Sequence, residues 1–339
     1  MTFPILSVKN LAVSFNTFEG EAKIIDYINL NVGEKETVGL VGETGCGKSV
    51  TLKAILGILP MPPGKVTNGQ ILFKEKNLLT LPTKELCKLR GREISLIPQD
   101  PLVSLNPVFT VKDQFLDLVM RQGEEHISRI NYYKEKLNKK KTQGALKKII
   151  AMLRKVQIPD PEKVLDYYPY QLSGGMAQRI LIAISLIGSP RILLADEPTT
   201  ALDVTVQKQI ITLLNKITEE SNLSMLYITH NLGVTRKIAQ RVYIMYAGQI
   251  VEMGKVNEIF DEPLHPYTSG LINSLPKLTR EKFDGIDGTI PDYVHTPKGC
   301  RFYPRCSFAK DLCKSQKPTM TEVKKNHFVA CRLFHKGSK

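Results

Sequence analysis

Apolar and polar positions begin to alternate almost at once. Residues 5–9 (Ile5-Leu6-Ser7-Val8-Lys9) and 11–15 (Leu11-Ala12-Val13-Ser14-Phe15) follow the period of two that places alternate side chains on one face of a strand. Ile24 to Val32 reads as a further strand. Thr37-Val38-Gly39-Leu40-Val41 is an unbroken apolar run, as expected of a strand buried on both faces of a parallel sheet. A glycine-rich loop and a helical pattern follow. Residues from about 110 to 170 read mostly as helices with polar connections. Arg191 to Ala195 and Met225 to Ile228 are two more buried strands, and Val242 to Tyr246 and Gln249 to Glu252 two short ones. Strands alternating with helices predict an α/β fold with a largely parallel sheet. The texture changes near Pro263. Pro263, Pro266, Pro276, Pro291, Pro297, Pro304 and Pro318 fall in the tail with four of the six cysteines, which sets a domain boundary close to residue 260. No internal repeat is visible.

Composition narrows this picture. A hydrophobic fraction of 42% supports a packed core and argues against global disorder. The 339 residues fit one large domain with an appendage, or two domains. No stretch approaches the roughly 18 apolar residues of a membrane-spanning helix. The best candidate, Ile180 to Gly188, is far too short. Met1-Thr2-Phe3-Pro4 carries no basic region and no apolar signal core. The expectation is a cytosolic chain that meets a membrane, if at all, from its surface. The net charge of +14 admits nucleic acid, anionic lipid or phosphate ligands. Much of it sits in the run Lys134 to Lys148, with Lys139, Lys140, Lys141, Lys147 and Lys148. A solvated helical face is the favoured reading there, ahead of lipid headgroups or a partner.

The chemistry begins directly after the run 37–41. Gly42-Glu43-Thr44-Gly45-Cys46-Gly47-Lys48-Ser49 matches G-x-x-x-x-G-K-[ST]. The glycines let the backbone curl so that successive N–H groups point at a phosphate. The following helix, entered through Val50, adds the partial positive charge of its N-terminus. Lys48 supplies a mobile full charge for the β- and γ-phosphates, and Ser49 a hydroxyl for Mg²⁺. A chance glycine-rich turn would not explain strand, loop and helix in this order. Four apolar residues, Ile192-Leu193-Leu194-Ala195, then lead to Asp196-Glu197 at a strand end. Asp196 is expected to hold Mg²⁺ through a water, and Glu197 to act as general base or water-orienting group at the γ-phosphate. His230 follows Leu226-Tyr227-Ile228-Thr229 in the equivalent place, where it could hydrogen-bond the γ-phosphate. A lone histidine is more often structural; its position at a strand end reverses that preference.

Taken in order, the phosphate loop, Gln99, Leu172-Ser173-Gly174-Gly175, Asp196-Glu197, Ala201-Leu202-Asp203 and His230 resemble the motifs of an ABC ATPase. The resemblance implies an α/β chain with a RecA-like phosphate-loop ATPase core, an antiparallel β subdomain and a helical subdomain at about 100–175. These make a nucleotide-binding domain over 1–260, followed by a small cysteine-containing extension over 261–339. It further implies two such domains packed head to tail around two ATP molecules. Each ATP lies on one phosphate loop and is covered by the other domain's signature helix, opened by Ser173, Gly174 and Gly175. Gln99 resembles the glutamine that touches Mg²⁺ beside the membrane partner. Asp203 resembles the aspartate that communicates across the dimer, and Phe15 the aromatic that stacks on adenine, although Phe18 is close and a strand aromatic is commonly core. Met176 stands where the family signature continues with Gln; the phosphate-facing serine and both glycines remain.

The tail narrows the resemblance. Glu262-Pro263-Leu264-His265-Pro266-Tyr267-Thr268 and Gly299-Cys300-Arg301-Phe302-Tyr303-Pro304-Arg305-Cys306 are similar to segments of the ATPases of dipeptide and oligopeptide importers, whose close relatives import nickel. This implies two transmembrane permease subunits, a second related ATPase or a second copy of this chain, an extracytoplasmic peptide-binding protein, and a peripheral place on the cytoplasmic face of a prokaryotic membrane. Dipeptide, oligopeptide and nickel stay open as cargo. A soluble ABC protein acting on nucleic acid or ribosomes is the competing class. Such proteins commonly carry two cassettes or a coiled-coil arm, whereas this chain has one cassette and too short a stretch between Gln99 and Ser173. No nucleic-acid partner is therefore expected. An inactive regulatory subunit conflicts with Lys48, Glu197 and His230.

Cys300, Cys306, Cys313 and Cys331 are spaced C-x5-C-x6-C-x17-C, apart from Cys46 and Cys87. Stable disulfides are disfavoured in a cytosolic chain, and four thiolates in a short segment suggest a metal staple. Structural zinc sites usually show two short C-x₂₋₄-C pairs, absent here. A [4Fe–4S] cluster tolerates looser spacing and is the favoured reading. Zn²⁺, disulfides and free thiols are the alternatives.

Overall fold

The computed structural model describes residues 4–121, 139–200, 202–275 and 286–335. They form two compact units: residues up to Thr80 together with those from Leu226, and Leu81–Met225.

The first unit holds two sheets. One is antiparallel, in the order Gly20–Val32, Leu6–Thr17, Gly64–Phe73, Lys76–Asn77. The segments 5–9 and 11–15 belong to a single strand whose pairing slips between Val8 and Leu11 and again before Ser14. Asn10 lies in the left-handed region at φ 49, and the extra residue shifts the phase of the alternation. Leu11, Ala12, Val13 and Ser14 are consequently all buried. The second sheet places Thr37–Val41 between Arg241–Tyr246, to which it pairs in parallel, and Ser224–Thr229, whose residues from Leu226 belong to this unit. Every residue of Thr37–Val41 and of Ser224–Thr229 is buried, as unbroken apolar runs require. Gln249–Lys255 continues the sheet antiparallel, followed by His327–Val329 and Thr321–Lys324 of the tail.

The tail is thus built onto this unit. Tyr267 and Phe302 lie in one core with Val41, Ile244, Tyr246 and Val251. The Tyr246 ring stands 4.7 Å from that of Tyr267 and 5.1 Å from that of Phe302. Glu252, fully buried, accepts hydrogen bonds from the backbone N–H groups of Leu264 and His265 and lies 2.7 Å from Nε2 of His327. One carboxylate therefore pins both the start and the end of the extension. A buried carboxyl of this kind is tolerable because both of its oxygens have hydrogen-bond partners.

The second unit carries the parallel pair Ile94–Ile97 and Ile192–Asp196 with the helices Val111–Arg121, Lys139–Lys155, Gly174–Leu186 and Val204–Glu220, so the predicted helical stretch is helical where it is described. Arg179, 9% exposed, donates to the backbone oxygen of Val156 and to the side chains of Gln157 and Gln209, joining three segments. Of the basic run, 134–138 lie outside the described residues. Beyond them, Ala145, Ile149 and Leu153 form the buried stripe of Lys139–Lys155, while Lys140, Lys141, Lys147 and Lys148 are exposed, the pattern of a solvated helical face. Among the described residues no helix is long and apolar enough to cross a membrane.

Candidate functional site

The phosphate loop leaves Thr37–Val41 and enters the helix Lys48–Leu56. Gly42 admits no side chain: a Cβ there would lie 2.1 Å from the backbone oxygen of Met245. Gly47 caps the helix at φ 110, a conformation glycine adopts without strain. Lys48 is 3% exposed, and its ammonium donates to the carbonyl oxygens of Gly42 (2.7 Å) and Glu43 (2.9 Å). These two carbonyls hold the charge over the loop. Ser49 and Val50 are half-buried on the first helical turn, and Thr44 and Gly45 are exposed. Cys46 is fully buried; burial, opposed by the Lys48 charge, pushes its thiol up to about 11, so it packs as a small neutral side chain.

Three tail side chains reach this loop, and motif reading missed them. The N–H of Glu43 donates to Oη of Tyr267 (3.0 Å), Oη of Tyr293 donates to the carbonyl of Gly45 (2.7 Å), and Nη1 of Arg305 donates to both carboxylate oxygens of Glu43 (3.2 and 3.0 Å). Tyr267 and Arg305 lie inside segments that stand out in the sequence, but nothing local marks their partners. In the same unit, Phe15 is half-buried beside Gly64, where a Cβ would meet its ring at 3.1 Å, while Phe18 is fully exposed. His230 is exposed at the end of Ser224–Thr229, and Asn231 caps the next helix by accepting from the N–H of Val234.

The second unit brings together the other predicted residues in two groups. Ile97 pairs with Ala195, so Gln99 and Glu197 emerge from the same ends of neighbouring parallel strands. Nε2 of Gln99 donates to Oε2 of Glu197 (3.4 Å), and the Thr200 hydroxyl donates to the same oxygen (3.0 Å). Glu197 is 8% exposed and has φ 45, a left-handed backbone just past the end of the strand; Asp196 just before it is half-buried. In the other group, Ser173 caps Gly174–Leu186 by accepting from the N–H of Met176 (3.3 Å), and Asp203 caps Val204–Glu220 by accepting from that of Val206 (2.9 Å). A Cβ on Gly175 would sit 3.0 Å from Val206, and one on Gly174 3.6 Å from Leu202. The tight contact at Gly175 is where the absence of a side chain lets the two helices approach.

Cys300, Cys306, Cys313 and Cys331 line one cavity of about 20 Å³ with His265 and Phe302. All four are free thiols. The N–H of Cys300 donates to the carbonyl of Cys313 (2.8 Å). Burial pushes the Cys300 thiol up to about 11 and raises those of Cys306 and Cys331. Nε of Arg332, which also lines the cavity, is buried without a partner. Among the described residues, no three His, Cys, Asp or Glu side chains converge on the position of a single metal ion.

Residues 25–200 match the family model of the ABC transporter, and residues 251–313 that of the oligopeptide/dipeptide transporter C-terminal region. The oligopeptide transport ATP-binding protein OppD of Bacillus subtilis (strain 168) is 44% identical over 98% of this chain and 89% of its own length. The dipeptide transport ATP-binding protein DppD of the same organism is 45% identical over 97% and 94%. Among solved structures, the dimeric bacterial ABC transporter cassette MJ0796 superposes with a TM-score of 0.61 at 27% identity, covering 74% of this chain and 98% of the cassette. The chain belongs to the ABC transporter family, among its oligopeptide and dipeptide transport ATP-binding proteins, and is an ATPase coupled to transport.

Proposed function

We propose that this chain hydrolyses ATP to power the import of dipeptides or oligopeptides, working at the cytoplasmic face of the membrane with two permease subunits, a second ATPase and an extracytoplasmic peptide-binding protein. The match of residues 251–313 to the oligopeptide/dipeptide transporter C-terminal region carries the choice of cargo, because the cassette alone is common to ABC transporters of every substrate. Residues 1–260 form the nucleotide-binding domain, with a helical subdomain at about 100–175, and 261–339 the importer-type extension.

In this reading Phe15 stacks on adenine. The amides of residues 42–50 and the Lys48 ammonium bind the β- and γ-phosphates. Ser173, Gly174 and Gly175 of a second ATPase close over the γ-phosphate, with Asp203 at the junction. Glu197 takes a proton from the attacking water, and His230 holds the γ-phosphate by a hydrogen bond. Ser49, Asp196 and Gln99 would hold Mg²⁺, which neutralises charge on the transferring phosphoryl group. The oxygen and amide donors at these positions suit that hard ion.

Cys300, Cys306, Cys313 and Cys331 we assign to a [4Fe–4S] cluster with a structural role. Four thiols around a shared, largely apolar cavity, with the orphaned Nε of Arg332 beside them, support an anionic thiolate-bound group. A single zinc, with Zn–S of about 2.3 Å, would draw the sulfurs within about 4 Å of each other. A [4Fe–4S] cluster tolerates the looser sequence spacing of these four cysteines.

The test is reconstitution of the chain with its permease and binding protein in vesicles, followed by uptake of labelled dipeptide, a longer peptide and nickel. ATP-dependent uptake of either peptide supports the reading. Nickel uptake alone would transfer the chain to the metal importers, and uptake of none would sink it.

A further inference from the structure

We propose that Arg305 is a positioning residue of the ATPase site, acting through Glu43 to hold the phosphate loop in shape and to neutralise the one acidic side chain on that loop. The inference rests on the reading of residues 42–50 as the ATP site.

Arg305 lies 262 positions from Glu43 in the chain, and its side chain is 6% exposed against 28% for Glu43. Nη1 grips the carboxylate at 3.2 and 3.0 Å, while Nε donates to the carbonyl of Asp287 (2.7 Å) and Nη2 to that of Ile286 (3.0 Å). A guanidinium anchored on both sides cannot follow Glu43 if the loop drifts. Glu43 is also the node of the loop itself. Its carbonyl accepts from Nζ of Lys48 (2.9 Å) and from the N–H of Cys46 (3.2 Å), and its own N–H is held by Tyr267.

Two consequences follow for ATP. The first is electrostatic: a carboxylate one residue into a loop that gathers a polyanion repels the ligand unless a cation cancels it. A guanidinium this buried is poorly screened by salt, so it cancels that charge effectively. The second is geometric: displacing Glu43 moves the carbonyl that Lys48 uses, and small displacements at a phosphate-binding loop cost rate and affinity steeply.

The experiment titrates the purified full-length chain with trinitrophenyl-ATP and Mg²⁺, and measures thermal melting alongside. Arg305→Ala is expected to weaken binding about tenfold, and Arg305→Lys to fall between it and the parent. Adding Glu43→Gln to Arg305→Ala is expected to recover most of the loss, because the repelling charge is then gone. An arginine that merely packed the tail would show the same loss with or without that charge. Parental affinity in Arg305→Ala, or a loss that Glu43→Gln leaves untouched, overturns the proposal. Should Arg305→Ala fail to fold, Arg305→Lys with and without Glu43→Gln carries the same comparison. Lys48→Ala separates the two readings. If it keeps parental affinity, the phosphate-loop assignment fails; if it loses binding while Arg305→Ala does not, only the role of Arg305 falls.

Discussion

The side-chain amide of Gln99 donates to Oε2 of Glu197 across 3.4 Å, and the Thr200 hydroxyl reaches the same oxygen at 3.0 Å. Both of these donors are neutral, so neither of them cancels the carboxylate's charge, which suits the base proposed above. Glu197→Gln preserves shape and removes the base. Turnover is expected to fall by about 10²–10⁴-fold, while nucleotide affinity is kept. Phosphate release read beside an equilibrium ATP titration checks this; hydrolysis at the parental rate would remove Glu197 from the role.

The elements that carry this chemistry are legible in the sequence for a physical reason. Thr37–Val41, Ile192–Asp196 and Ser224–Thr229 are buried strands, so they read as unbroken apolar runs, and each ends in a polar cluster. Gly64–Phe73 is not legible in the same way, because Gly64, Asn68 and Gly69 interrupt its pattern and, Val66 apart, only its last residues are apolar. The left-handed turn at Glu197 leaves no mark either, since glutamate is not a residue chosen for that conformation. Least visible of all is the hold of Tyr267, Tyr293 and Arg305 on residues 43 and 45. Such pairs exist only after the tail has folded against the rest of the first unit, and no spacing rule connects them.

Gly69 shows how one residue can set a register. It faces the slip at Asn10 and Leu11 with φ +108, and a Cβ would meet the Leu11 Cα at 2.6 Å and the Asn10 oxygen at 2.7 Å. The neighbours are backbone and cannot swing aside. Gly69→Ala is expected to cost about 2 kcal/mol or more, seen as a lower urea midpoint. An unchanged midpoint would mean that the strand pair can relax around the new methyl group.

Asp26 offers a pH test of how the tail is fastened. Its side chain is 7% exposed and meets Lys317 at 2.6 Å and Arg301 at 3.4 Å, with Gln249 donating at 2.8 Å. Burial alone would raise its pKa, but the hydrogen bond from Lys317 and the charge of Arg301 outweigh it and hold the carboxyl below its ordinary 3.8. A depressed carboxyl pKa stabilises the fold above the unfolded value, and that contribution is lost as pH falls through the folded one. Asp26→Asn is therefore expected to destabilise by about 3 kcal/mol at neutral pH, because Arg301 is left buried beside a neutral amide. Its deficit relative to the parent should shrink as pH is taken below 3.8. Melting curves of both proteins from pH 7 downward decide it; a deficit that stays constant with pH would point to packing in place of charge.

The cysteine cavity can be tested by composition, independently of activity. Raised thiol pKa values mean that Cys300, Cys306 and Cys331 hold their protons near neutral pH unless a cation displaces them. Metal loading should therefore weaken as pH falls, and it should need all four sulfurs. Protein purified without oxygen is expected to carry about four iron and matching sulfide, with a broad visible absorbance. Cys306→Ser and Cys331→Ser should each lose most of both. Stoichiometric zinc in a colourless protein would replace the cluster with a mononuclear site. Neither metal, with four titratable thiols, would leave the extension held without a cluster, by contacts such as those of Phe302, the Glu252–His327 pair and the ion pairs of Asp26.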